Sequence, residues 1–130
     1  MMRNKQTILL DTNALINFLS GELLETDIVD GRRITISEIT EMEIQCNPAL
    51  NSSERILLKE FLGECIIIRL NEEIKDLAVK IRLTTRMKLM DSIIAASAQW
   101  TKLVLVTGDE KFDSVKSIDL ILLPSKSKRS

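Results

Sequence analysis

The chain has 130 residues, a length for one compact domain, and its 45% apolar content is enough to fill a core. Its 18 basic and 19 acidic residues give a net charge of −1. That balance excludes a general attraction to nucleic acid and leaves only local basic patches for that purpose. There is no histidine and no tyrosine, so Ser-His-Asp and Cys-His nucleophiles, histidine-based phosphodiester cleavage and His-rich zinc sites are excluded. Proton chemistry must run through carboxylates, lysine or water on a metal.

In chain order, the amino terminus carries Arg3 and Lys5, and its apolar run stops at Asp11, too short for a signal peptide. Thr7-Ile8-Leu9-Leu10 is continuously apolar, the pattern of a strand buried on both faces. Asn13 to Leu19 has helical spacing, broken by Gly21. Gly31 precedes a second strand, Arg33 to Ile36, and Ser37 is placed to cap a helix ending near Asn47-Pro48. A helix starts at Ser52 or Ser53 and stops near Gly63. Cys65 to Ile68 forms a third strand, and Asn71 opens a helix through Ile74, Leu77, Ala78, Ile81 and Arg82. The next helix runs from about Lys88 to Trp100, where Trp100 is expected to pack rather than to stack on a base. Leu103 to Val106 and Ile118 to Leu122 are the fourth and fifth strands, and Pro124 ends the last. Residues 125–130 are expected to form a frayed basic tail beyond a single domain of residues 1–124. Cys46 and Cys65 lack CxxC spacing and are expected to be small core residues in a reducing compartment. With no stretch of membrane-spanning length, the expectation is a cytoplasmic protein.

Strands alternate with helices throughout, which predicts an α/β domain with a mostly parallel sheet of about five strands. Ligands in such sheets bind at the carboxyl ends of the strands. Asp11 directly follows the first strand, and Asp109 follows the fourth after Thr107-Gly108. Glu43 shares a helical stripe with Ile39, Met42 and Cys46, so it is expected to face inward, away from Glu38, Glu41 and Gln45. Asp91 heads the stripe of Ile94, Ala95 and Ala98 on a helix whose start lies at the same edge. Four acids at one edge repel one another, and a divalent cation removes the conflict. All-oxygen ligands suit Mg²⁺ or Mn²⁺.

Singly, each acid has a structural role open to it. Asp11 can cap a helix, Asp91 can favour a helix dipole, Asp109 can sit in a turn, and Glu43 can pair with an arginine. Glu110 and Asp113 read as solvated acids, with Asp113 close enough to assist. Thr12, Asn13 and Thr107 stand beside the acids and can orient them. Arg82, Arg86, Lys88 and Lys111 are candidate phosphate contacts, and Lys126, Lys128 and Arg129 either touch nucleic acid or add solubility.

These residues also form a pattern. Leu9-Leu10-Asp11-Thr12-Asn13-Ala14-Leu15-Ile16, Ile36-Ser37 with Thr40-Glu41-Met42-Glu43, Met90-Asp91-Ser92-Ile93-Ile94-Ala95-Ala96, and Leu105-Val106-Thr107-Gly108-Asp109 with Phe112 follow in an order that covers nearly the whole chain. In this the chain resembles the PIN-domain nucleases, particularly VapC-like toxins of bacterial toxin–antitoxin pairs. The resemblance implies a three-layer α/β/α fold and Mg²⁺- or Mn²⁺-dependent endoribonuclease activity. It carries Asp11, Glu43, Asp91 and Asp109 over as the acidic site, in which a metal-activated water would hydrolyse RNA. It also implies a homodimer and a small VapB-like antitoxin inserting near the site. Gly108 stands where members of the family often have a basic residue. A haloacid-dehalogenase-type phosphohydrolase is disfavoured because Asn13 stands where its second acid should be. A receiver domain is disfavoured because no acidic pair precedes its phospho-acceptor strand. A module of the same fold that binds RNA or protein without cleaving is the alternative from another class.

Overall fold

A computed structural model describes residues 6–129. Arg3, Lys5 and Ser130 lie outside the described residues. Five strands, β1 (Thr7–Leu10), β2 (Arg33–Ser37), β3 (Ile66–Ile68), β4 (Val104–Thr107) and β5 (Leu120–Leu122), form one sheet in the order β3-β2-β1-β4-β5. Every pairing is parallel, with Leu9 opposite Thr35 on one side and Leu105 on the other. Six helices connect them: α1 (Thr12–Leu19), α2 (Leu23–Val29), α3 (Glu38–Gln45), α4 (Ser52–Glu64), α5 (Glu72–Thr85) and α6 (Leu89–Thr101).

The period of two in a strand sends alternate residues to opposite faces, and this divides the core. Ile8, Leu10, Ile36 and Val106 pack with Ala14 and Leu15 of α1, Val29 of α2 and Leu62 of α4. Leu9 and Leu105 pack with Ile74, Ala78 and Ile81 of α5 and with Ile94, Ala95 and Ala98 of α6. The result is the expected three-layer α/β/α sandwich. Both faces are covered, which is why the central strands read as continuous apolar runs.

Helix α6 is buried at every position from Ser92 to Ala98. Its small side chains permit that depth, and Ser92 and Ser97 satisfy their hydroxyls by donating to Lys88 and Ile93 carbonyls of their own helix. Asn51 and Glu54 form a reciprocal capping box that starts α4. A 3-10 turn over Glu110–Ser114 follows β4 and is pinned by the buried Phe112. Truncating that ring to alanine should cost about 3–5 kcal/mol and release the turn.

Three expectations are corrected. A helix, α2, occupies Leu23–Val29 where the sequence shows only a break at Gly21. Cys46 is exposed and Cys65 half-buried, so neither is a fully enclosed core residue; burial, aided by the charge of Glu64, pushes the Cys65 thiol up to about 11. The basic tail does not simply fray. It turns through Lys126–Lys128 and returns to α2, where the Arg129 guanidinium grips Glu25 at 2.9 and 3.0 Å.

Candidate active site

The carboxyl ends of β1 and β4 lie side by side, with Leu10 opposite Val106 and the Asp11 N–H donating to the Val106 carbonyl. Asp11 leaves β1 in extended conformation and caps α1, its Oδ1 accepting the Ala14 N–H at 2.8 Å. Its Oδ2 accepts a short hydrogen bond from the Thr107 hydroxyl. Thr107 in turn accepts the Asp109 N–H at 3.0 Å, so one buried threonine joins the ends of both strands. Asp109 then starts the 3-10 turn, accepting the Lys111 N–H at 2.9 Å. Capping and site-building thus coexist in Asp11 and Asp109; the structural roles that each acid could fill alone do not compete with convergence.

Asp91 stands half-buried in the first turn of α6. Burial pushes its carboxyl above the ordinary value, and the charges of Asp109 and Glu43 push the same way while Lys111 and Lys88 oppose them. Burial likewise raises the Asp11 carboxyl, against the hydrogen bonds from Thr107 and Ala14, and the charges of Asp109 and Asp91 add to the rise. Asp11, Glu43, Asp91 and Asp109 therefore share one electrostatic neighbourhood, with Lys88 and Lys111 as its cations.

Glu43 belongs to that neighbourhood by a different route from the one its sequence suggests. The inward face of α3 is Thr40 and Ile44, while Met42, Glu43 and Cys46 are exposed. Glu43 reaches the site from the rim, held by the Thr12 hydroxyl at 2.7 Å. Glu38 and Glu41, on another side of the helix, pair with Arg69.

Of the supporting residues, Thr12 and Thr107 contact acids directly, whereas Asn13 stands exposed on the first turn of α1 and makes no side-chain hydrogen bond to another described residue. Lys88 and Lys111 are exposed, and their charges act on Asp91. Arg82 donates to the Met87 carbonyl at 2.6 Å, closing the loop between α5 and α6, and the exposed Arg86 provides the left-handed residue that ends α5. Lys128 pairs with Glu110 rather than standing free, and Asp113 is exposed. Trp100 is 42% exposed and donates to Glu73, linking α6 to α5. Sequence reasoning passed over Thr40, which is fully buried and lies 3.0 Å from the Thr12 hydroxyl. Its signal was a hydroxyl one helical turn before Glu43.

Among the described residues, no three acid or thiol side chains stand close enough together to hold a metal ion as placed. The donor set nonetheless fits a hard divalent cation. It is all carboxylate oxygen, two of its members have raised pKa values through burial and like charge, and both oxygens of Asp11 are oriented by neutral donors rather than by a cation. Among the described residues, no helix is long and apolar enough to cross a membrane.

The model of the PIN domain matches residues 8–118. No curated protein matches the sequence. Among solved structures, the chain is similar to a toxin–antitoxin complex from Klebsiella pneumoniae, at 28% identity over 88% of this chain and 95% of that one, with a TM-score of 0.77. VapBC2 from Rickettsia felis, bound to a DNA fragment from its promoter, aligns over 91% of this chain and 99% of its own at 18% identity and TM-score 0.76. VapBC-1 from nontypeable Haemophilus influenzae aligns over 90% and 98% at 19% identity and TM-score 0.76.

Proposed function

The chain belongs to the PIN domain family, and from that premise we propose that it is a metal-dependent endoribonuclease, the toxin of a toxin–antitoxin pair acting in the cytoplasm. The observation that carries the reading is the shared electrostatic neighbourhood of Asp11, Glu43, Asp91 and Asp109 at the carboxyl edge of the sheet. Asp11 and Asp91 would hold Mg²⁺ or Mn²⁺, with Glu43 and Asp109 completing the site. The ion, when bound, supplies positive charge to acidify a water and to stabilise charge developing on the scissile phosphate.

The chain's own residues do the rest. Thr107 fixes Asp11, and Thr12 fixes Glu43. Lys88 and Lys111 draw the phosphate backbone towards the acids, with Arg86 on the approach to α6. Arg82, engaged with the loop carbonyl, contributes by shaping that approach rather than by touching phosphate.

The partner is a small VapB-like antitoxin. Its proposed seat is the groove of about 440 Å³ beside Glu43, floored by Ile16, Leu19, Ile44, Leu57 and Phe61 and edged by Glu54. An apolar segment carrying a basic residue would complement it. A homodimer is part of the same proposal, and exposed Val79, Leu83, Leu89 and Met90 supply apolar surface for it.

The test is cleavage of total RNA by the purified chain in Mg²⁺ or Mn²⁺. Cleavage is expected, and it should disappear in EDTA and in Asp11→Asn. Cleavage that survives chelation would sink the mechanism. Binding of RNA without cleavage in either ion would establish the non-catalytic module instead.

A further inference from the structure

Five hydroxyls on α5 and α6 close back on their own backbone. Thr84, Thr85, Ser97 and Thr101 each donate to a carbonyl four residues earlier, as Ser92 does. Thr40 departs from that habit. It is 0% exposed, yet its hydroxyl leaves α3 and meets the Thr12 hydroxyl of α1 at 3.0 Å.

The direction of this contact follows from proton counting. Thr12 has one hydroxyl proton, and its 2.7 Å contact with Glu43 Oε1 consumes it, because a carboxylate only accepts. The Thr12 oxygen must then accept from Thr40. The order is Thr40 O–H to Thr12 Oγ1, and Thr12 O–H to Glu43 Oε1. Glu43 itself is exposed, and unlike Asp11 its carboxylate accepts from no backbone N–H of the described residues. Its orientation is inherited from a buried hydroxyl one turn earlier on its own helix, through a residue adjacent to Asp11.

We propose that Thr40 is a positioning residue of the acidic site, which fixes the Thr12 proton on Glu43 and so aims that carboxylate at the ion shared with Asp11 and Asp91. The same relay ties α1 to α3 and keeps Asp11 and Glu43 at a set separation. This rests on the nuclease reading above, because it requires Glu43 to be an ion ligand.

Thr40→Val keeps the volume and removes the hydroxyl. The measurement is Mn²⁺ binding by isothermal titration calorimetry on the full chain, which needs no RNA and no turnover. Thr40→Val is expected to weaken Mn²⁺ binding about tenfold, the usual scale for residues that orient a ligand. Thr40→Ser should bind nearly as wild type, and both variants should melt near wild type without metal. In a Glu43→Ala background, Thr40→Val should cause no further loss, because its effect runs through Glu43.

Binding of Mn²⁺ by Thr40→Val at wild-type affinity would overturn the proposal. So would a loss that persists undiminished without Glu43. If Thr40→Val fails to fold, Thr12→Val interrupts the relay from α1 and is judged by the same criteria. Failure of the nuclease reading looks different: wild type itself would bind no Mn²⁺, or Glu43→Ala would bind as wild type, and the proposal would fall with it.

Discussion

Asp11 and Glu25 are both buried carboxylates beside α1, 5% and 1% exposed, and their ionisation is driven in opposite directions. Burial raises both. At Glu25 the hydrogen bonds from Arg129 and Asn17 outweigh it, the Asn17 amide at 2.9 Å and the guanidinium on both oxygens, and the carboxyl ends below its ordinary value. At Asp11 the donors are a threonine hydroxyl and a backbone N–H, both neutral, and the nearby charges of Asp109 and Asp91 add to the rise. Glu25 is a charge that the fold has neutralised. Asp11 is a charge that the fold has oriented without neutralising, in the company of other acids. The first arrangement serves stability and the second works against it, the pattern that the proposed metal site requires.

The widest separation between the two should come from removing the Asp11 charge. Asp11→Asn keeps an oxygen for the Ala14 N–H, so α1 stays capped, while one ligand of the proposed metal site loses its charge. RNA cleavage should fall by about a thousandfold or more, and the metal-free protein should melt at or above the wild-type temperature. A variant that cleaves normally, or that melts far below wild type, breaks the distinction. Arg129→Met addresses the other side. Leaving Glu25 buried without its cation should cost roughly 3 kcal/mol, lowering the melting temperature while cleavage per folded molecule is unchanged. Because the Glu25 carboxyl lies below its ordinary value when folded, its contribution is complete above the ordinary value and is lost as pH falls through the lowered one. The Arg129→Met deficit should therefore shrink in acid.

The two regions also differ in how far the sequence reveals them. Asp11 follows an apolar run directly and Asp109 follows one after Thr107-Gly108, and the rule that strand ends gather ligands brings them together without further information. Asp91 is reached by one more step, since a helix feeding a parallel strand must start at that edge. Glu43 shows where periodicity fails. A two-turn helix at the end of a sheet offers two candidate stripes, and the apolar Ile39, Met42 and Cys46 made the wrong one look like the core. The buried pair is Thr40 and Ile44, with Ile39 half-buried against the core and Met42 and Cys46 left exposed. α2 has too few turns and too mixed a face to register. The Glu25–Arg129 pair joins positions 104 apart, and no local spacing encodes such a contact.

Divalent ions provide the next contrast in size. An ion that binds the folded site alone stabilises by mass action, and at roughly ten times its dissociation constant the gain is about 1.4 kcal/mol. Mn²⁺ should therefore raise the melting temperature of wild type and of Arg129→Met alike, and leave Asp11→Asn nearly unmoved. An equal rise in all three would place the ion away from Asp11.

The smallest effect is in the pH dependence of the metal-free protein, and it isolates Asp11. A carboxyl whose folded value lies above its ordinary value of 3.8 holds its proton more tightly when folded than when unfolded. Stability then falls as pH rises from the ordinary value through the raised one, and beyond that window the charged form carries the full cost. Asp11→Asn cannot ionise and escapes this loss. Its advantage in melting temperature over wild type should be greatest at neutral pH and should close as pH falls below about 3.8, the ordinary value, where Asp11 is protonated in both states. The trend is opposite in sign to the Glu25 contribution, which acid removes. Measuring the difference between variant and wild type at each pH cancels the acid loss that both proteins share through Glu25. An advantage that grew towards low pH would mean that the Asp11 carboxylate is stabilised in the fold as Glu25 is, and the contrast between the two acids would be gone.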